Sequence, residues 1–260
     1  MTFEFDATST ALAGRGDALR IVPLDLPDVL VSPPTAKPVL TYRGGPLLSN
    51  VEVFTIFWGS AWQKAPQSTM VDQLNGFFDR ILTGPLLEQL AEYSASGKTI
   101  GAGRRSGSTS VASTAVQTTV TDGAIQHMLR QQIALGSALP QPGPNVLYFV
   151  YLAPGTAVTS QGSRSCTSFC GYHNDITGQI FYAVMPYAGC RGCLGGLQAF
   201  EALTSTSSHE LCEAITDPIP GQGWYDDQNG EIGDICAWRT KTVDGYTVQM
   251  EWSNQQGACV

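Results

Sequence analysis

Basic charge is the first thing this chain lacks: 14 Lys and Arg stand against 22 Asp and Glu, a net charge of −8. No basic stripe can be built from so few cations, which excludes a nucleic acid held by its phosphates. Charge of either sign is scarce, since 14% charged residues is well under the roughly 25% of an average soluble protein. The one basic pair of note, Arg104-Arg105, reads as an exposed loop. Long apolar runs are missing as well. The longest, Val146 to Leu152, suits a buried strand and falls far short of the ~20 residues that cross a bilayer. The opening "MTFEFDATST" has neither the cationic nor the apolar region of a signal peptide. The expectation is therefore a cytosolic protein or a processed form with a new start methionine. No internal repeat is present.

What the chain does have is core and punctuation. At 43% hydrophobic over 260 residues it can bury a large core, and its 28 Gly and 15 Pro mark many turns. With so little charge, that profile resembles an exported protein. Seven cysteines support the same reading: Cys166, Cys170, Cys190, Cys193, Cys212, Cys236 and Cys259. The first four, as C-x3-C and C-x2-C, are near zinc-ribbon spacing. Disulfides stapling the two ends of the intervening turn and strand are the favoured reading, with a structural zinc as the alternative. Cys236 and Cys259 bracket a terminal strand and form a second staple, leaving Cys212 over. An oxidising, extracytoplasmic compartment follows.

Residues 1 to 40 carry no clear period and become proline-rich at "LPDVLVSPPTAKPV", which predicts an N-terminal extension or pro-segment. From residue 41 to 260 strands and helices alternate, as an α/β domain requires. "VEVFTIFWG" reads as a strand, followed by a helix from Thr69 to Leu82 capped by Ser68. A short helix follows Pro85. "SGKTIGAGRRSGSTSVAS" is a ragged strand with a loop or a mobile rim, and Asp122 opens an amphipathic helix to Leu135. "NVLYFVYLAP" and Gln179 to Tyr187 read as strands, the latter at a sheet edge. A helix ending at "TDP" comes next, then a Gly/Asp loop and the strand "YTVQMEW".

The chemistry concentrates in "SSHELCEAITDP", Ser207 to Pro218. Residues four apart on a helix lie one above the other, so His209 and Glu213 can share a cation. Glu210, about 100° further round, is placed to act on a metal-bound water rather than to ligate. That division, two ligands and a flanking base, is what an H-E-x-x-H helix provides. The bland reading is a solvated helix face. The preceding "LTSTSS" is poor in helix formers, so packing must hold the helix. "DDQNGE" spaces Asp227, Asn229 and Glu231 as a calcium loop would. His173, in "CGYHN", is a candidate electrophile or ligand, while His127 reads as structural. A Cys212 nucleophile paired with His209 is the weakest alternative.

"HELCEAITD" resembles the active-site helix of thermolysin-like (gluzincin) metallopeptidases. The resemblance implies a third zinc ligand at Glu231 in "GEIGDIC", eighteen positions after Glu213, with Asp234 as its outer partner. Here the two are one residue closer than in that family, which leaves Asp234 open as the ligand itself. It also implies an oxyanion-binding role for Tyr225. Glu213 stands where that family has a second histidine. More broadly, "YRGGPLLSNVEVFTIFWGSAW", "CGYHN" and the cysteine-bearing C-terminus resemble the phosphate-induced/exordium-like family of secreted proteins, in which microbial members carry the His-Glu pair and plant members lack it. The combined expectation is a single zincin-like α/β domain with a mixed sheet. It would hydrolyse peptide bonds in a protein or peptide substrate, with zinc on His209, Glu213 and Glu231 and Glu210 as general base. The alternative from another class is a catalytically inactive, secreted binding or signalling protein whose acidic cluster holds calcium or nothing.

Overall fold

The computed structural model describes residues 20–25, 37–111, 118–136 and 138–260. The proline-rich stretch expected to form an extension lies largely within 26–36 and so falls outside the described residues, as does the end of the Gly/Ser-rich segment. Among the described residues the chain is mixed α/β, with one six-stranded sheet and several small ribbons.

The main sheet comprises β1 (Arg20–Pro23), β2 (Glu52–Trp58), β3 (Arg104–Val111), β4 (Val146–Leu152), β5 (Phe169–Ile176) and β6 (Ile180–Met185), in the order β1-β5-β6-β4-β2-β3. Strands β3, β2, β4 and β6 run parallel, whereas β5 is antiparallel to β6 and β1 antiparallel to β5. Parallel strands between helical layers are buried on both faces, which is why β4 is an unbroken apolar run and β2, after Glu52, is broken only by Thr55, whose hydroxyl donates to Asn75. Alternation then divides them. Phe57, Leu147, Phe149 and Tyr151 face one core with α1 (Gln67–Ile81) and α3 (Ala199–Thr216). Phe54, Ile56, Tyr148 and Val150 face the other core with α2 (Asp122–Leu135).

Three sequence expectations need correction. The segment Gln179 to Tyr187 is not an edge: Thr177 and Gly178 turn the chain so that β5 pairs outside β6 and β1 outside β5. Helix α1 starts at Gln67, with Pro66 rather than Ser68 at its N-cap, because the preceding turn already closes a helical bond from Ser68 N to Lys64 O. Arg104 and Arg105 lie on strand β3, where Arg105 grips Asp79 through two hydrogen bonds of 2.9 and 2.8 Å and Arg104 meets Glu52 at 2.9 Å. Helix α2 begins at Asp122 and ends at Leu135 as read, with Thr121 accepting the Ala124 amide at its N-cap.

Three disulfides staple the C-terminal half: Cys166–Cys190, Cys170–Cys193 and Cys236–Cys259. The first two use the sulfurs that a zinc ribbon would need, so that alternative is closed. Cys212 is the remaining thiol, buried within α3. No helix among the described residues is long and apolar enough to cross a membrane.

Candidate metal centre

Helix α3 is two turns longer than its motif. A capping box starts it, with the Gln198 amide donating to Glu201 Oε2. Its Ser and Thr residues, weak helix formers, are tied to neighbours: Thr204 Oγ1 donates to Thr247 O, and Ser208 Oγ accepts the Gln249 amide. These bonds fix the helix against β8 (Tyr246–Gln249), which follows β7 (Thr240–Val243) in a hairpin. On its other side α3 packs on β5 and β6. The approach to β5 is close because position 171 is glycine. A Cβ there would sit 2.7 Å from Thr206 Cγ2 and 3.3 Å from Glu210 Oε1.

Four elements converge. Helix α3 brings His209, Glu210 and Glu213; β5 brings His173; the loop after the helix brings Glu231 and Asp234; β8 brings Gln249. His173, His209, Glu210, Glu213, Asp217 and Glu231 are all 0% exposed. His209 Nε2 lies 3.0 Å from Glu213 Oε1, and that oxygen also accepts the Asp234 amide at 3.1 Å. His209, Glu213 and Asp234 each offer a ligand atom within 4.8 Å of the other two. Ligands on tetrahedral zinc sit about 3.3 Å apart, from bonds of about 2.0 Å, so modest contraction closes the set. The chemistry of this donor set, one imidazole and two carboxylates, suits zinc. A further observation fits a cation: His209 Nε2 is buried without a hydrogen bond.

The other imidazole binds differently. His173 Nδ1 meets Glu210 Oε2 at 3.1 Å and Glu213 Oε2 at 3.5 Å, while Nε2 faces the Asp217 carbonyl at 3.2 Å and Glu231 Oε1 at 3.6 Å. His173, Glu210 and Glu213 make a second candidate ligand group that shares Glu213 with the first. Burial pushes the His173 imidazole down, but its bonds to Glu210 and Glu213 outweigh burial and hold it up at about 10. Burial lowers the His209 imidazole too, but the Glu213 charge outweighs burial and holds it well above its ordinary value, so a metal on either imidazole would compete with a proton. For Glu213, burial raises the carboxyl, yet the His209 charge and the bond from His173 bring it to about 2. Burial raises Asp234 to about 7, with the Glu213 charge adding to it. Burial and the nearby Glu213 and Asp217 raise Glu231 well above the usual carboxylate range, and burial raises Asp217 as well.

The expected ligands thus separate. Asp234, not Glu231, joins His209 and Glu213, because the short 3-10 turn at Asp234–Cys236 points its carboxylate back at the helix. Glu231 instead faces His173. Asp227 is turned outward to Arg43 with an 88% exposed side chain, while Glu231 is buried, so the calcium loop is not assembled. Tyr225 is buried in a ribbon with Thr41–Tyr42, its ring 4.3 Å beneath the Arg43 guanidinium. Burial, reinforced by Glu251, pushes the Cys212 thiol well up, which keeps it neutral and unsuited to nucleophilic work. His127 is exposed on α2.

Gln249 is a residue of the candidate site that motif reading missed. Its Oε1 accepts the Trp238 amide at 3.3 Å and its Nε2 donates to the Gly233 carbonyl at 2.9 Å. With the amide so oriented, the 3.0 Å contact from His209 Nδ1 to Gln249 Oε1 makes Nδ1 the donor and leaves Nε2 as the ligand atom. Alternation in "YTVQMEW" groups Gln249 with Thr247 and Glu251, opposite Tyr246, Val248 and Trp252, which is the pattern of a solvent-facing residue, so the sequence carries no signal for its burial.

No family model, no curated protein and no solved structure matches the chain.

Proposed function

We propose that the chain is a zinc-dependent metallopeptidase of zincin-like design, acting outside the cell. The observation that carries this reading is the convergence of His209, Glu213 and Asp234, with Glu210 one residue along the same helix. Bound there, zinc would act as a Lewis acid toward a scissile carbonyl and make water acidic near neutral pH.

The protein's own groups supply the rest. Glu210 holds one oxygen against His173 and keeps Oε1 free of hydrogen bonds. That arrangement fixes the carboxylate while leaving an oxygen to take a proton from water and return it to the leaving amine. Burial raises the Glu210 carboxyl while the His173 bond opposes the rise, moving it toward the range useful for a base near neutral pH. Gln249 holds the His209 tautomer, and the Asp234 amide steadies Glu213. Tyr225 is retained as a candidate hydrogen-bond donor to the developing oxyanion. The exordium-like family supplies a second reading, a secreted metal-binding protein without catalysis, favoured by one observation: the full burial of the centre.

The binding half of the proposal is tested by metal analysis of the purified full chain beside His209→Ala. The expected result is one zinc per chain, lost in the variant with its fold kept by circular dichroism. Calcium in place of zinc, or zinc unaffected by the substitution, would overturn the assignment.

A further inference from the structure

The side chains of His173, His209, Glu210 and Glu213 are buried, and β1 is the edge strand that borders the centre. This strand touches β5, which carries His173, helix α3, which carries His209, Glu210 and Glu213, and the turn that carries Asp234. It pairs with β5 so that Arg20 lies opposite His173 and Val22 opposite Gly171. Residues opposite one another in an antiparallel pair project to the same face. Val22 therefore points to the α3 side, beside the glycine gap under Glu210, and it is 2% exposed. Its neighbours are Leu24, Trp238 and the Cys170–Cys193 disulfide.

The hold on this segment is what a peptide of unrelated sequence could also use. Backbone groups carry it: Trp238 Nε1 donates to the Pro23 carbonyl at 3.0 Å, and the Asp25 amide donates to the Gly192 carbonyl at 2.8 Å. Val22 is the buried apolar side chain of the segment, while Ile21 and Leu24 pack half-buried against the flanking clusters. Main-chain pairing for affinity plus a side-chain pocket for selection is the mode by which sheet edges take extended peptides.

We propose that residues 20–25 are a built-in occupant of the peptide cleft: a strand seated on the edge of β5 that covers the metal centre until it is displaced. The proposal rests on the metallopeptidase reading. It adds that the ligand is an extended peptide added antiparallel to β5 with a Val-like residue in the Val22 pocket, and that cutting the chain after residue 25 opens the site.

The test uses the full chain carrying Val22→Asp, followed by amide hydrogen exchange and by anisotropy of a labelled peptide of residues 18–25. Release of the strand should speed exchange of the β5 amides at least 10-fold while β4 amides hold their rate. The labelled peptide should bind the variant saturably and leave the unaltered chain unbound. Zinc should also pass to a chelator at least 10-fold faster from the variant. Exchange rising together in β4 and β5 would make β1 an ordinary structural strand and overturn the proposal, as would unchanged β5 exchange. Should Val22→Asp fail to fold, a specific protease site placed within 26–36 and cut after folding decides the matter by the same two readouts. Zinc missing from every form would sink the metallopeptidase reading alone, since strand release and peptide binding are read without metal.

Discussion

At the scale of single residues, the site turns on which carboxylate completes it. His209, Glu210 and Glu213 were legible because helical spacing fixes their angles from sequence alone. The third ligand was not, since its choice depends on a 3-10 turn between Glu231 and Cys236 that no periodicity announces. Asp234→Asn should lower zinc affinity by at least about 100-fold, beyond most of the 10–100-fold that outer partners command. Glu231→Gln should cost less, because Glu231 faces His173 rather than the His209, Glu213 and Asp234 group and the amide keeps its shape. Competition with a chromophoric chelator ranks the two, and the reverse order would put Glu231 on the metal. Gln249→Met should weaken zinc roughly 10–100-fold by leaving the His209 tautomer unfixed. An affinity unchanged by that variant would refute the orienting role.

Among the elements, β2, β4, α1 and α2 could be read with little error because their apolar periods are complete. The order of strands could not. Gly171, His173, Asn174 and Asp175 interrupt any apolar pattern in β5; Gly171 and His173 are there to meet α3 and the candidate centre, while Asp175 accepts the Gly178 amide in the turn to β6. Helix α3 was under-read for a related reason: its N-terminal half, from Ala199, lies over Ser- and Thr-rich sequence held by bonds to β8. The loop that carries Asp234 is equally context-bound. A Cβ at Gly233 would lie 2.8–2.9 Å from three atoms of the His209 ring, so only glycine lets loop and ring touch. Gly233→Ala should therefore push the loop off the helix, at a cost of about 1–3 kcal/mol for overpacking, and reduce zinc affinity at least 10-fold. Thermal unfolding with and without zinc checks both effects. Wild-type affinity would mean that the loop is not part of the centre.

Across the whole molecule, the disulfides decide how firmly the parts of the centre stay together. Cys236–Cys259 closes a separation of 23 residues and anchors the Asp234 turn to the C-terminus. Replacing both cysteines by serine should lower stability by about 3 kcal/mol and weaken zinc binding with it. Denaturant melts of the two forms in parallel measure the first effect, and equal midpoints would show the staple to be redundant. Three disulfides fit an extracellular protein, and the low charge of the sequence points the same way. Hydrolysis itself has one direct test. Zinc content and cleavage of an unfolded protein substrate are measured together for Glu210→Gln and the unaltered sequence, each as the intact chain and after a cut within residues 26–36. The expected result is one zinc per chain in every form, with cleavage by the cut unaltered chain and a loss of at least about 100-fold in Glu210→Gln, the scale of a removed general base. Equal cleavage by the two sequences, or none in any zinc-loaded form, would contradict it.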